Sequence, residues 1–287
     1  MMNTDIYKIA GVNVKLKYNF EILEDIKKRY SAFASESEEV DASVIFTAVK
    51  RLPDKENMTL VRENRSYYRE YKQGDNYFRF FEDGNKKEEY ACAIEKDGVT
   101  ECQYLERCQH MLEDTDCLFN HVALERILIN YNTFMLHASL VDLDGVGILF
   151  SGPSGIGKST QAGLLEKYEG AEILNGDRAI IKKENGKWYG YGSPFAGSSN
   201  IYKNKKVPID SLIFLDKADK VRNIKKISGL SAFRNIYSQA TVNSWNREYV
   251  DKIISVINEF MGEVNIYHYD ATKDKESAEF LKNMILR

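Results

Sequence analysis

The sequence predicts an α/β protein of the α+β kind, built on a mixed, partly antiparallel sheet, and three observations carry that expectation. An apolar strand pattern, GVGILFSG, runs straight into a glycine-rich loop and then into the helical pattern STQAGLLEKY. A second strand pattern, FMLHASLV, precedes the first across Asp144-Gly145, a pair that favours a tight antiparallel hairpin. The first ~105 residues show short alternating runs rather than the helix-after-strand rhythm of an all-parallel sheet.

Each element follows from a local pattern. Val12, Val14, Leu16 and Tyr18 alternate with polar residues, a strand period, while Ile22, Leu23, Ile26 and Tyr30 follow helical spacing. ASVIFTAVK reads as a strand. From Met58 to Leu105 the pattern is a meander, punctuated by Gln73-Gly74-Asp75, Asp83-Gly84 and Asp97-Gly98. A helix follows, with Leu118, Val122, Leu124, Ile127 and Leu128 on its apolar face. Beyond the glycine-rich loop comes another hairpin, RAIIKK and KWYGYG around Glu184-Asn185-Gly186, and then the buried strand IDSLIFLD. Val250, Ile253, Ile254, Ile257 and Met261 mark a helix, VNIYHYD a strand, and Ala278, Leu281, Met284 and Ile285 a last helix. These patterns suggest a β-rich module over 1–110 and a second domain over 111–287.

Composition narrows the function classes. The 287 residues are 43% hydrophobic and 29% charged, enough for packed cores. A net charge of −3 argues against a general nucleic-acid binder. The tyrosine-rich run YYREYKQGDNYFRFFEDG therefore reads as a half-buried sheet rather than a base-stacking surface. No apolar run approaches a membrane span, and the N-terminus lacks the apolar core of a signal peptide, so a cytoplasmic location without membrane attachment is expected. Cys92, Cys102, Cys108 and Cys117 show no metal-binding spacing and read as reduced structural thiols. Homo-oligomerisation stays open.

The segment Gly152-Pro-Ser-Gly-Ile-Gly157-Lys158-Ser159 fits G-x-x-x-x-G-K-[ST] without a gap. Its glycines allow successive N–H groups to converge on a phosphate, and the following helix adds its N-terminal dipole. Gly152, Ser154, Gly155, Ile156, Gly157, Lys158, Ser159 and Thr160 are thus the expected nucleotide-binding residues. Lys158 would span the β- and γ-phosphates of ATP, and Ser159 would offer its hydroxyl to Mg²⁺. Phosphoryl transfer also needs a carboxylate at a strand end. Asp177 lies in AEILNGDRAII, about 20 residues beyond the lysine, and Asp216 ends LIFLD. LDKAD, Leu215 to Asp219, is similar to a guanine-reading motif, but no D-x-x-G stands between it and the loop, and Asp177 is preferred. YGSPFAGSSNIYKNKK is a small-residue loop suited to substrate or nucleotide contact, with Arg178 and Lys203 as candidate cations.

With these residues in view, His137 to Ile181 resembles the HPr kinase/phosphorylase family, which shares a P-loop core with phosphoenolpyruvate carboxykinases. The resemblance rests on HASLVDLDGVGILFSGPSGIGKS and NGDRAII, and it covers about 45 residues closely. It implies that core for the second domain, including a hairpin ahead of the loop. It also implies an ATP- and Mg²⁺-dependent kinase acting on a hydroxyl, with serine foremost, in a protein, a precursor peptide or a small molecule. Asp177, His137 and Lys158 would then be catalytic, and Ser159 and Asp177 would serve the metal. Two positions depart from the pattern: Gly176 stands where the family has the first aspartate of a pair, and Thr160 where it has an acid. The base could be Asp177 alone, His137 as a shuttle, or hardly needed, because phosphoryl transfer is mostly positioning and charge stabilisation. Asn175 could serve metal-bound water or simply the turn. A nucleotide-binding regulator or adaptor with weak hydrolysis is the alternative.

Overall fold

A computed structural model describes residues 2–64, 67–84, 88–96, 99–113, 121, 123–218 and 222–286. Cys117, Leu118, Val122, the Asp97-Gly98 turn and Asp219 lie outside the described residues. The chain divides into two compact units, Met1–Ile127 and Leu128–Arg287. This division falls at 127/128, where the sequence suggested 110/111.

The first unit holds an eight-stranded mixed sheet in the order β1-β2-β3-β8-β7-β6-β5-β4. β1 (Asn3–Ile9) and β2 (Val12–Tyr18) form a hairpin, followed by α1 (Glu24–Ser31) and β3 (Ala42–Val49). β4 (Thr59–Asn64), β5 (Tyr68–Gln73), β6 (Asn76–Glu82), β7 (Glu89–Lys96) and β8 (Val99–Leu105) are the predicted antiparallel meander. β3 runs parallel to both β2 and β8. Within the aromatic run Phe78, Phe80 and Phe81 are buried while Tyr67 is exposed; elsewhere in the unit Tyr104 is fully buried, and Phe20 meets Phe46 and Tyr104 edge-on. Cys92 and Cys102 are free and buried, which pushes both thiols up and keeps them unreactive.

This unit also contains an ion network. Glu70 and Arg79 face each other across β5 and β6, fully enclosed. Arg79 reaches Glu125 at 2.9 Å, and Arg126 reaches Glu70 at 3.4 Å and Glu95 at 2.6 Å. Burial pushes the Glu70 carboxyl up even against two guanidiniums. Burial would also raise Glu125, yet Arg79 and Arg126 hold it below the usual carboxylate range. Short helices α2 (His110–Glu113) and α3 (Leu124–Leu128) close this part of the chain.

In the second unit the sheet order is β10-β9-β12-β13-β14-β16-β15, with β11 on β9 and an extra β10–β14 pairing. The strands are β9 (Thr133–Leu143), β10 (Val146–Ser151), β11 (Glu172–Asn175), β12 (Arg178–Glu184), β13 (Lys187–Tyr191), β14 (Lys206–Lys217), β15 (Asn223–Lys226) and β16 (Asn265–Ala271). β10, β14 and β16 are mutually parallel neighbours, whereas β9, β12 and β13 pair antiparallel. The extra pairing closes β9, β12, β13, β14 and β10 into a ring. Asp144 and Gly145 both take positive φ, the hairpin geometry their sequence predicted.

Two helices cover each face. α4 (Lys158–Glu169) and α7 (Lys275–Ile285) bury Ala162, Leu165, Ala278 and Leu281 against Ile148, Phe150, Ile213 and Leu215. α5 (Gly229–Gln239) and α6 (Arg247–Glu263) bury Ala232, Ile236, Ile257 and Phe260 against Leu149, Leu212 and Phe214. Each large side chain so buried contributes roughly 1.5–3 kcal/mol. From Leu212 to Leu215 the side chains alternate: Ile213 and Leu215 face α4 and α7, Leu212 and Phe214 face α5 and α6. Among the described residues no helix is long and apolar enough to cross a membrane.

Candidate functional site

The glycine-rich loop joins the end of β10 to the start of α4. Gly152, Gly155 and Gly157 take φ of 139°, 74° and 122°, values that bend the chain where a side chain would be strained. Ile156 anchors the loop on the α4-side core, while Ser154, Ser159 and Thr160 are exposed. α4 opens at Gly157 without a side-chain cap and with no acidic residue in its first turn. By contrast, α6 and α7 are capped by Asn246 and Asp274 and carry Glu248 and Glu276 in their first turns. The leading N–H groups of α4 are thus left to solvent or an anion. Lys158 lies back along the loop, donating to Gly152 O at 3.0 Å and Pro153 O at 3.3 Å. Burial lowers its pKa, and the nearby Asp177 acts in the opposite direction.

His137 and Asp177 meet beside this lysine. The hydroxyl of Ser151, the last residue of β10, donates to His137 O at 2.9 Å. At the same point β9 is irregular, with Arg178 paired to both His137 and Ala138. His137 Nε2 lies 3.5 Å from Asp177 Oδ1, and its Nδ1 lies 3.2 Å from Gln239 Oε1 at the end of α5. Burial lowers the pKa of His137, and the charge of Lys158 lowers it further. The Gln239 contact and Asp177 only partly offset this. The imidazole is therefore neutral near pH 7; with its Nδ1–H donated to Gln239, the Nε2 lone pair faces Asp177 and can accept a proton.

Asp177 is aimed by a turn rather than by its own strand. Asn175 is fully buried, and its Oδ1 accepts from Asp177 N at 3.1 Å and Arg178 N at 2.8 Å. Its Nδ2 donates to Ser193 O at 3.0 Å and Phe195 O at 3.1 Å. The amide is thus committed to the turn, and none of it remains for metal-bound water. Ser139 Oγ donates to Gly176 O at 3.1 Å, and Ala138 N to Asp177 O at 2.9 Å, fixing the turn against β9.

Gly176 has a packing reason. A Cβ there would lie 2.6 Å from Ser199 Cβ and nearer still to the Ser199 hydroxyl. The 3-10 turn Gly197–Ser199 occupies the space that an acid at 176 would need. The small-residue loop predicted to admit substrate thus first admits the 175–178 turn. Lys203, a candidate cation, pairs with Glu172 at 3.0 Å, at the far end of β11 from Asp177. Arg178 stays near, its Nε 3.9 Å from Asp177 Oδ2 and its guanidinium over the Phe195 ring.

Asp216, the alternative acid, ends β14 beside the loop, but its even position turns it to the face opposite α4. It gathers there with His268, at 3.8 Å, and Asp270. Lys158 from the loop motif, Asp177 from NGDR and His137 from the family resemblance are therefore the residues brought together. Gln239 was not anticipated. Its helix was not read from the sequence either, and nothing there marked the glutamine itself.

No protein-family model matches the chain, and no curated protein matches it in sequence. Among solved structures, the HPr(Ser) kinase/phosphatase from Coxiella burnetii is similar over 53% of this chain and 96% of its own length. The identity is 16% and the TM-score 0.34, so function is argued from this chain's own side chains.

Proposed function

We propose that the chain transfers the γ-phosphoryl group of ATP, as its Mg²⁺ complex, to a hydroxyl, with serine of a protein or peptide, or a small molecule, as acceptor. The observation that carries this reading is the meeting of His137, Lys158 and Asp177 from three separate elements around the mouth of the 152–159 loop. The uncapped start of α4 supports it as a seat for polyphosphate.

In the proposed step the acceptor oxygen attacks the γ-phosphorus as the bond from that phosphorus to the β–γ bridging oxygen breaks, and ADP leaves with that electron pair. The acceptor proton passes to Asp177, with the unprotonated Nε2 of His137, 3.5 Å from that carboxylate, as its onward acceptor. Lys158 swings from the loop carbonyls to the phosphates and neutralises charge that develops on them. The oxygen donors Ser159 and Asp177 suit Mg²⁺, which binds through one or two carboxylates plus substrate phosphates rather than a protein cage. When bound, the ion would screen the phosphate charge. Its hard-oxygen chemistry needs no third protein ligand.

The test is transfer of labelled γ-phosphate to candidate hydroxyl acceptors. Asp177→Asn should cut transfer by at least ~100-fold while leaving ATP affinity nearly unchanged, and Lys158→Ala should weaken ATP binding itself. Hydrolysis that ignores every acceptor and is unchanged in Asp177→Asn would defeat the proposal. That outcome would favour the second reading, a nucleotide-binding regulator, which is motivated by Ser199 standing where a second carboxylate would be.

A further inference from the structure

The phosphoryl-transfer reading seats a polyphosphate on the loop and leaves the rest of the nucleotide unplaced. Beside the loop lies a cleft of about 340 Å³, lined among others by Ile156, Thr160, Lys217, Ala218, Ala271 and Thr272. Its position follows from topology. β10, β14 and β16 lie side by side and parallel, so their carboxyl ends, at Ser151, Lys217 and Ala271, open onto one rim. Ligands of such sheets bind in the crevice outside those ends. At ~4.8 Å per strand, the end of β16 is roughly 10 Å from the end of β10, the reach of a ribose and base beyond bound phosphates.

The walls are suited to that cargo and are already fixed. Ile156, Ala218 and Ala271 give an apolar surface for a flat ring, and Thr160 and Lys217 give polar groups toward the loop. Gln161 ties α4 to the far wall, donating to Thr272 O at 2.7 Å and accepting from Ser277 Oγ at 3.0 Å. Among the described lining residues the one carboxylate is spoken for: Asp274 caps α7 and accepts from Arg222 at 2.8 Å, which mutes its repulsion of an anionic ligand. We propose that this cleft holds the ribose and base of the nucleoside triphosphate whose phosphates occupy the 152–159 loop. The inference rests on the phosphoryl-transfer reading and adds to it the place of the nucleoside.

Calorimetry on the full chain with Mg²⁺ tests it, using ATP and inorganic tripolyphosphate as separate probes. Ala218 is half-exposed, so Ala218→Trp can fill the cleft without disturbing a core. The variant should weaken ATP by about tenfold or more and leave tripolyphosphate unchanged within about twofold. Unchanged ATP affinity, or equal loss for both probes, would overturn the cleft assignment. Lys158→Ala isolates the underlying reading, since it should weaken both probes; if it weakens neither, the loop assignment fails and the cleft assignment with it. Photolabelling of the wild-type chain with 8-azido-ATP gives a check that does not depend on a variant folding. Label on residues 217–218 or 271–274 supports the cleft, and label confined to any other segment overturns it.

Discussion

His137 is held neutral by its surroundings, and that sets a pH dependence for the proposed reaction. Its pKa lies below the ordinary 6.5 because of burial and Lys158. Protonation at low pH would take the imidazole away from its role toward Asp177, so the transfer rate should fall as pH drops through a midpoint below 6.5. The sign for stability is the same. An unfolded chain takes up the proton first, so folding loses stability below the unfolded value and not above it. The Gln239 contact favours the protonated ring, so Gln239→Ala should move the acid limb of the rate profile to lower pH. A limb that stays put or moves upward would count against this assignment. Gly176 gives a second test at this scale. Gly176→Asp should not create a second catalytic acid. It should lower stability by roughly 1–3 kcal/mol through overpacking against Ser199, read by urea denaturation. Ser199→Gly in the same chain should recover much of that loss.

The 175–178 turn is the element on which the proposed chemistry depends, and Asn175 is its centre. Asn175→Ala would remove the side-chain partner of the backbone N–H groups of Asp177 and Arg178 and of the buried Ser193 carbonyl. At about 1–3 kcal/mol for each buried group left unsatisfied, the melting temperature should drop markedly. Phosphoryl transfer should fall far more than ATP affinity, because Asp177 loses its aim while the loop is untouched. Elements also show what the sequence could and could not reveal. Strand alternation placed β2, β3, β9, β10, β12, β14 and β16 because each side chain reports its own face. The turns at Asp144-Gly145 and Asn185-Gly186 were legible because both need positive φ. His137, Lys158 and Asp177 were legible as motif members. The Gln239 contact, the seating of Ser199 on Gly176 and the cleft at the ends of β14 and β16 were not. Each joins residues distant in sequence whose types carry no local signal. β1 and α5 were missed for a related reason: their polar residues dilute the pattern, and packing supplies what propensity does not.

For the whole molecule, the two units have separate cores, and the candidate site draws only on residues 128–287. The ion network of the first unit is then a lever on stability alone. Arg79→Met strands Glu70 without its nearest guanidinium, and breaking such a buried pair costs about 3–5 kcal/mol. Thermal denaturation should show that loss, and ATP affinity measured on the folded variant should remain at its wild-type value. A fall in both would mean that the first unit contributes to binding.

The ring of strands in the second unit has a kinetic consequence. β10 carries the loop and is held on both edges, by β9 next to it in sequence and by β14 some 60 residues later. The local hairpin can form early, but the β10–β14 seam must wait for β12 and β13 to be laid down, because distant contacts are the slow ones. The rim where the loop, Asp216 and the cleft meet should therefore assemble late. A ligand seated there stabilises contacts that the folding transition state lacks. ATP with Mg²⁺ should accordingly slow unfolding in stopped-flow denaturant jumps while leaving the refolding rate almost unchanged.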